Sequence, residues 1–193
     1  MAKDINVNGD RFTLMISERR LRARIQQLAR QISRDYRRKV PVFIGVLNGS
    51  FIFFADLIRE VTIDCEVDFL KLSSYGDAKI SSGNVRLLKD LNCQVTGRDI
   101  IIVEDIVDSG LSMEYIRNLI LHQNPASFKV VTLLYKKDSV KSGIMLDYVG
   151  FSIPSDFVIG YGLDYAQRER NLKAIYRLAP PRKTVSAGAT YKS

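Results

Sequence analysis

Ile100 to Ser112 reads IIIVEDIVDSGLS, and the order of residue types within it decides how the rest of the chain is read. Ile100, Ile101, Ile102 and Val103 are consecutive β-branched residues, which suit a strand buried on both faces. They run into the carboxylates Glu104, Asp105 and Asp108, then a Ser109-Gly110 turn and the start of a helix. In an open α/β sheet, ligands bind beyond the carboxyl ends of the strands, and a helix N-terminus offers unpaired N–H groups and a partial positive charge to a phosphate. Asp108, Ser109, Gly110, Leu111 and Ser112 therefore read as a phosphate cradle. Gly110 permits close backbone approach, the hydroxyls of Ser109 and Ser112 add donors, and no lysine is required. Glu104 and Asp105 would repel a phosphate at close range, so they suit a neutral hydroxylated group or a metal. A ribose phosphate meets both demands.

Outward from this segment, short apolar runs alternate with helical stretches, the pattern of an α/β domain with a largely parallel sheet. Val42 to Leu47 reads as a buried strand, Phe51 to Arg59 as a helix and Cys65 to Leu72 as a second strand. Tyr75 to Gly83 is rich in turn formers and reads as a mobile loop, with a short strand at Val85 to Leu88 bringing the chain back. Met113, Ile116, Leu119 and Ile120 mark a helix, and Val130 to Tyr135 the next strand. Short strands near Tyr148 to Ile153 and Phe157 to Ile159 lead to a basic tail. No repeat or linker divides the chain, so a single domain is expected over residues 1–177, followed by a mobile tail at 178–193.

Composition sets bounds on function. A chain of 193 residues with 46% hydrophobic and 26% charged residues has the usage of one globular domain, not of a disordered or fibrous chain. Cys65 and Cys93 form no CxxC pair, so neither a disulfide framework nor a cysteine-rich zinc site is expected. No apolar run approaches the roughly 18 residues of a membrane span, and the N-terminus has no apolar signal core. A cytoplasmic protein is expected. The net charge of +8 is concentrated between Ser17 and Lys39, outside which 20 basic residues face 19 acidic ones. Within that segment Leu21, Ile25, Leu28, Ile32 and Tyr36 recur at helical spacing behind Ser17 as N-cap, so most of its arginines fall on the outer face of an amphipathic helix. His122 is the only histidine, lies near a helix end and receives no role.

The Ile100 to Ser112 segment resembles the phosphoribosyl-pyrophosphate signature of the type I phosphoribosyltransferases, and other segments match that family in order. Leu47 to Ser50, LNGS, resembles its pyrophosphate loop; Ser73 to Gly76, SSYG, its flexible lid; and Leu133 to Lys137, LLYKK, its purine-selecting strand. Asp156 to Tyr165, DFVIGYGLDY, resembles the base-stacking and metal segment, with Arg170 following. The resemblance covers roughly residues 10–177, and the ordered set is far more specific than any one motif. It implies the family's α/β fold, a largely parallel sheet flanked by helices, with a small hood and a flexible lid.

The resemblance also implies roles. Glu104 and Asp105 would hold the ribose hydroxyls, directly or through Mg2+, and Asp108 to Ser112 the 5-phosphate. Asp108 would accept a proton at the purine N7 as the catalytic base. Lys136 would donate to O6 of a 6-oxopurine, Phe157 would stack on the base and the main chain of Val158 would read its edge. Asp164 would bind magnesium on the pyrophosphate, with Asn48, Gly49 and Arg170 around that group. Ser74 and Tyr75 would belong to the lid. A cis peptide is implied at Asn48-Gly49, and Asn48 itself departs from members with lysine there, because an amide carries no charge. Phe157 and Tyr161, without the family pattern, read as core aromatics.

The implied activity is transfer of the phosphoribosyl group of phosphoribosyl pyrophosphate to hypoxanthine or guanine in purine salvage, by a homodimer or homotetramer with no membrane or nucleic-acid partner. The competing reading is an RNA-binding regulator of nucleotide metabolism that keeps the same fold, for which the arginine-rich helix speaks. Retention of Asp108, Lys136, Asp164 and Arg170 speaks against it.

Overall fold

The computed structural model describes residues 4–74, 85–139 and 144–180. In chain order the elements are β1 (Ile5–Val7), β2 (Asp10–Ile16), α1 (Glu18–Asp35), β3 (Val42–Leu47), α2 (Phe51–Glu60), β4 (Glu66–Ser74) and β5 (Val85–Lys89). Then come β6 (Asp99–Val107), α3 (Leu111–Leu121), β7 (Ser127–Tyr135), β8 (Tyr148–Ser152), β9 (Val158–Ile159) and β10 (Ile175–Leu178). Six strands form the main sheet in the order β5-β4-β3-β6-β7-β8, and four form a smaller sheet, β1-β2-β10-β9. Within the main sheet every pairing is parallel except β4 with β5.

The apolar run of β6 is continuous because both its faces are covered. Ile101 and Val103 pack into a cluster with Leu21, Ile25 and Leu28 of α1 and Phe53 and Leu57 of α2. Ile100 and Ile102 belong instead to the cluster with Met113, Ile116 and Ile120 of α3. A period of two along the strand thus feeds two cores, and each such side chain contributes about 1.5–3 kcal/mol by leaving water.

In α1, Ser17 is the N-cap, its hydroxyl accepting the amide of Arg20 at 3.4 Å, and the expected apolar stripe is buried. Not all the arginines face outward. Arg24 donates from Nε to the carbonyl of Gly150 at 2.9 Å and from Nη2 to that of Val149 at 2.6 Å, and Arg20 lies 5.7 Å from the ring centre of Phe151. The reason is that β8 is an edge strand with carbonyls left over, which a guanidinium fork satisfies.

Three features exceed the sequence reading. β6 continues to Val107, beyond the expected end at Val103, because β7 keeps pairing with it (Glu104 with Thr132, Ile106 with Leu134, Val107 with Tyr135). The small sheet adds β1, β2 and β10, of which no strand was expected. Its main pairing joins β2 to β10, Leu14 opposite Tyr176, across most of the chain length. β10 also carries order past the expected domain limit at 177: Leu178 donates to the carbonyl of Phe157 at 2.9 Å and Ala179 to that of Arg11 at 2.8 Å. The expected lid residue Tyr75 and tail residues 181–193 lie outside the described residues. No helix among the described residues is long and apolar enough to cross a membrane.

Candidate active site

Glu104 and Asp105 sit inside β6, not in the loop after it, and are only 7% and 8% exposed. Burial, then repulsion from Asp105, pushes the Glu104 carboxyl well above its ordinary value. Burial also raises Asp105, although its hydrogen bonds with Glu104 and nearby amides, together with the charge of Arg170, work the other way. Two acids held this way favour a cation or hydroxyl donors as their neighbours.

At the carboxyl end of β6, Gly110 takes a left-handed conformation, φ 87°, as the N-cap of α3, and no side chain caps that end. Its first-turn amides therefore have no side-chain acceptor, apart from a contact of 3.5 Å between the amide of Leu111 and the hydroxyl of Ser109. Such a helix end suits an anion. Asp108 is exposed, and its Oδ2 lies 2.7 Å from Nζ of Lys136, a lysine only 9% exposed. Lys136 is fixed there because its amide donates to the carbonyl of Val107 at 3.0 Å, continuing the pairing of β6 with β7.

The segment after β8 is tied to the same place. Ile153 donates its amide to Tyr135 at 2.9 Å, and the hydroxyls of Ser139 and Ser155 are 2.6 Å apart. Phe157 follows, 45% exposed although aromatic, with its ring edge-on to Tyr165 at 5.6 Å and tilted to Phe12 at 6.2 Å. Val158, in β9, lies opposite Arg177 of β10. An exposed aromatic thus stands just before β9, packed on the buried Phe12 and the half-buried Tyr165.

Asn48 and Gly49 form the turn between β3 and α2, and the cis peptide is Leu47-Asn48, one bond earlier than the resemblance implied. A Cβ at Gly49 would collide with the Asp105 carboxylate, and one at Gly162 would collide with the carbonyl of Gly49. Three segments distant in sequence therefore meet with no room for a side chain. Beside them Arg170 pairs through Nη2 with Asp164 Oδ1 at 2.8 Å and donates from Nη1 to the carbonyl of Gly162 at 2.8 Å.

The structure thus brings Glu104, Asp105, Gly49 and the Gly162 turn together, and separately Asp108 with Lys136. It does not gather Glu104, Asp105 and Asp164 around one point: no group of three acidic, histidine or cysteine side chains suited to a metal occurs among the described residues. Tyr75 and the side chain of Ser74 lie outside those residues. Sequence reasoning missed the bond from the Tyr161 hydroxyl to Asp56 of α2. The available signal was slight: a tyrosine between Gly160 and Gly162, and one acid within the apolar FIFFADLI of α2.

This geometry has close counterparts. The chain matches the phosphoribosyl transferase domain over residues 15–166. It is 45% identical over 167 residues to the hypoxanthine-guanine phosphoribosyltransferase of Bacillus subtilis, covering 86% of this chain and 93% of that protein. It is 44% identical over 164 residues to the hypoxanthine phosphoribosyltransferase of Escherichia coli, covering 84% and 92%. A crystal structure of a hypoxanthine-guanine phosphoribosyltransferase from Bacillus anthracis superposes with a TM-score of 0.82 at 42% identity, covering 86% of this chain and 98% of the other. The RNA-binding reading gains no support from these likenesses. With these matches over most of its length, the chain belongs to the phosphoribosyltransferase family, among its hypoxanthine-guanine enzymes.

Proposed function

We propose that the chain transfers the 5-phosphoribosyl group of phosphoribosyl pyrophosphate to N9 of hypoxanthine or guanine, releasing pyrophosphate. The observation that carries the base preference is the buried Lys136, whose ammonium has one charged partner among the described residues, the exposed Asp108, at the open end of β6 and β7. An ammonium has three donors and no acceptor, so it suits the O6 carbonyl of a 6-oxopurine and opposes the amino group of adenine. Leaving such groups unpaired can cost up to about 10⁴-fold in discrimination.

In this reading the base stacks on Phe157, its edge is read by the main chain of Val158, Lys136 donates to O6, and the Asp108 carboxylate accepts the proton from N7. The cradle Asp108 to Ser112 holds the 5-phosphate on the end of α3. As the C1–O bond to pyrophosphate breaks with its electron pair and the C1–N9 bond forms, positive charge grows at the ribose, and the buried Glu104–Asp105 pair would hold the ribose hydroxyls and meet that charge. Arg170, Asn48 and Gly49 would receive the departing pyrophosphate. Mg2+, when bound, neutralises that anion. Magnesium commonly takes one or two carboxylates and completes its shell from phosphates and water, which fits a Glu104–Asp105 pair and a separate Asp164. The reading includes a cytoplasmic setting, supported by two free thiols, and the homodimer or homotetramer that the resemblance implies.

The test is a panel of purine and pyrimidine bases with phosphoribosyl pyrophosphate and magnesium, nucleotide formation being followed by absorbance. Hypoxanthine and guanine should be converted and adenine left untouched. Lys136→Ala should raise KM for the base by roughly 10- to 100-fold, the value of a hydrogen bond to a charged group, and that for phosphoribosyl pyrophosphate far less. Efficient turnover of adenine would overturn the proposal.

A further inference from the structure

We infer that Tyr161 and Asp56 form a positioning pair that holds the pyrophosphate loop and the Asp164–Arg170 segment in register. Asp56 lies on α2, the helix that begins directly after the Asn48-Gly49 turn, and its Oδ2 accepts the hydroxyl of Tyr161. Tyr161 is 6% exposed and has φ 53°, a conformation uncommon for so bulky a residue. On either side Gly160 and Gly162 also have positive φ, 92° and 100°, so the turn is left-handed throughout. Such backbone persists only where the surroundings over-determine it, and it concentrates at functional sites.

Two bonds fix Tyr161: its amide donates to the carbonyl of Leu172 at 2.8 Å, and its hydroxyl reaches α2. The consequence is immediate at the next residue. Gly162 lies so close to the carbonyl of Gly49 that no Cβ would fit, and its own carbonyl accepts from Arg170, which pairs with Asp164. The hydroxyl thus anchors, through one residue, both the contact with the pyrophosphate loop and the guanidinium beside it. Neither Tyr161 nor Asp56 touches a substrate in this scheme. Their effect is on where Gly49, Asp164 and Arg170 stand, and therefore on phosphoribosyl pyrophosphate and not on the base.

The inference rests on the proposed roles of Gly49, Asp164 and Arg170. Calorimetry with magnesium phosphoribosyl pyrophosphate, steady-state kinetics and thermal unfolding of the full chain test it. Tyr161→Phe keeps the ring and removes only the hydroxyl. It should weaken phosphoribosyl pyrophosphate binding and raise its KM on the order of ten-fold while KM for the base stays within about two-fold, as misplacement of one binding segment requires. Asp56→Ala should do the same, Asp56→Asn, which keeps an oxygen acceptor, should recover most of the affinity, and the double variant Tyr161→Phe/Asp56→Ala should be no worse than either single one. Unchanged affinity in Tyr161→Phe, equal loss for both substrates, additive losses in the double variant, or Asp56→Asn as weak as Asp56→Ala would each overturn the pair. Arg170→Gln separates the two levels. If it leaves phosphoribosyl pyrophosphate binding intact, the site reading falls and the pair with it; if it weakens binding while Tyr161→Phe does not, the pair alone falls.

Discussion

The side chain of Asp108 is exposed, yet it pairs with the buried Lys136 at 2.7 Å. Its neighbours in sequence, Ser109 and Gly110, lead into the open N-terminus of α3. One residue therefore faces two ways, its backbone at the start of the α3 turn and its carboxylate toward Lys136, the lysine proposed to select the base. Asn at this position keeps size and an oxygen acceptor for Lys136 but loses the charge and the capacity to take a proton. Asp108→Asn should lower kcat by 10² to 10⁴-fold or so, the usual cost of a general base. The dissociation constant of magnesium phosphoribosyl pyrophosphate, measured by calorimetry, should move little. A normal kcat, or a defect confined to that dissociation constant, would show that the carboxylate has another role.

Among the elements, α1 shows how a composition signal divides once the helix is docked. Its arginines look alike in sequence, but Arg22 pairs with Glu18 on the surface at 2.7 Å, whereas Arg24 reaches across to two carbonyls of β8. Exposed pairs of the first kind contribute about 0–1 kcal/mol. The second kind satisfies backbone groups on the edge of the main sheet, and a hydrogen bond from a charged donor contributes about 1.5–3 kcal/mol. Arg24→Met, which keeps the aliphatic stem, should destabilise the protein by about 1–3 kcal/mol in urea unfolding, with kinetic constants unchanged, because β8 lies away from the carboxylates of β6. A neutral substitution would mean that water replaces the guanidinium at that edge without cost.

At the scale of the molecule, acid stability should depend on Asp68, a buried acid outside the site. In β4 its carboxylate accepts amides from Asn92 at 2.6 Å, Phe69 at 2.7 Å and Cys93 at 2.9 Å, and Lys89 stands 3.4 Å away. It thereby fastens the return segment after β5 to the main sheet. Burial opposes its ionisation, but the amides of Cys93, Phe69 and Asn92 outweigh that and hold its pKa at about 2, below the ordinary 3.8. A folded value below the unfolded one means that the stabilisation is fully present above about pH 4 and is lost as pH falls toward about 2, because the unfolded chain takes up the proton first. At about 1.4 kcal/mol per unit, the contribution is roughly 2 kcal/mol. Asp68→Asn should therefore be less stable than the parent by roughly that amount near pH 7, with the gap narrowing below about pH 4 in urea unfolding. A gap independent of pH would assign the loss to packing instead.

The fold class and the chemistry of the Ile100 to Ser112 segment were legible in the sequence because they rest on local order, whereas Lys136, Phe157, Asp164 and Arg170 drew their assigned roles only from the family resemblance. A β-branched run that feeds two cores, acids at its end and a Ser-Gly turn before a helix are contiguous, and their meaning does not depend on distant partners. The three strands β1, β2 and β10 were not legible: β2 is mostly half-buried, with an apolar run of only three residues at Leu14 to Ile16, and its pairing with β10 joins segments at opposite ends of the chain. Nor did sequence show that Glu104 and Asp105 are strand residues, since only the continued pairing with β7 carries the backbone past Val103. The same holds for what supports the site. That Gly49 must lack a side chain because of Asp105, that Gly162 must lack one because of Gly49, and that Tyr161 reaches Asp56 are facts of close approach between segments far apart in sequence, and only packing brings them within reach.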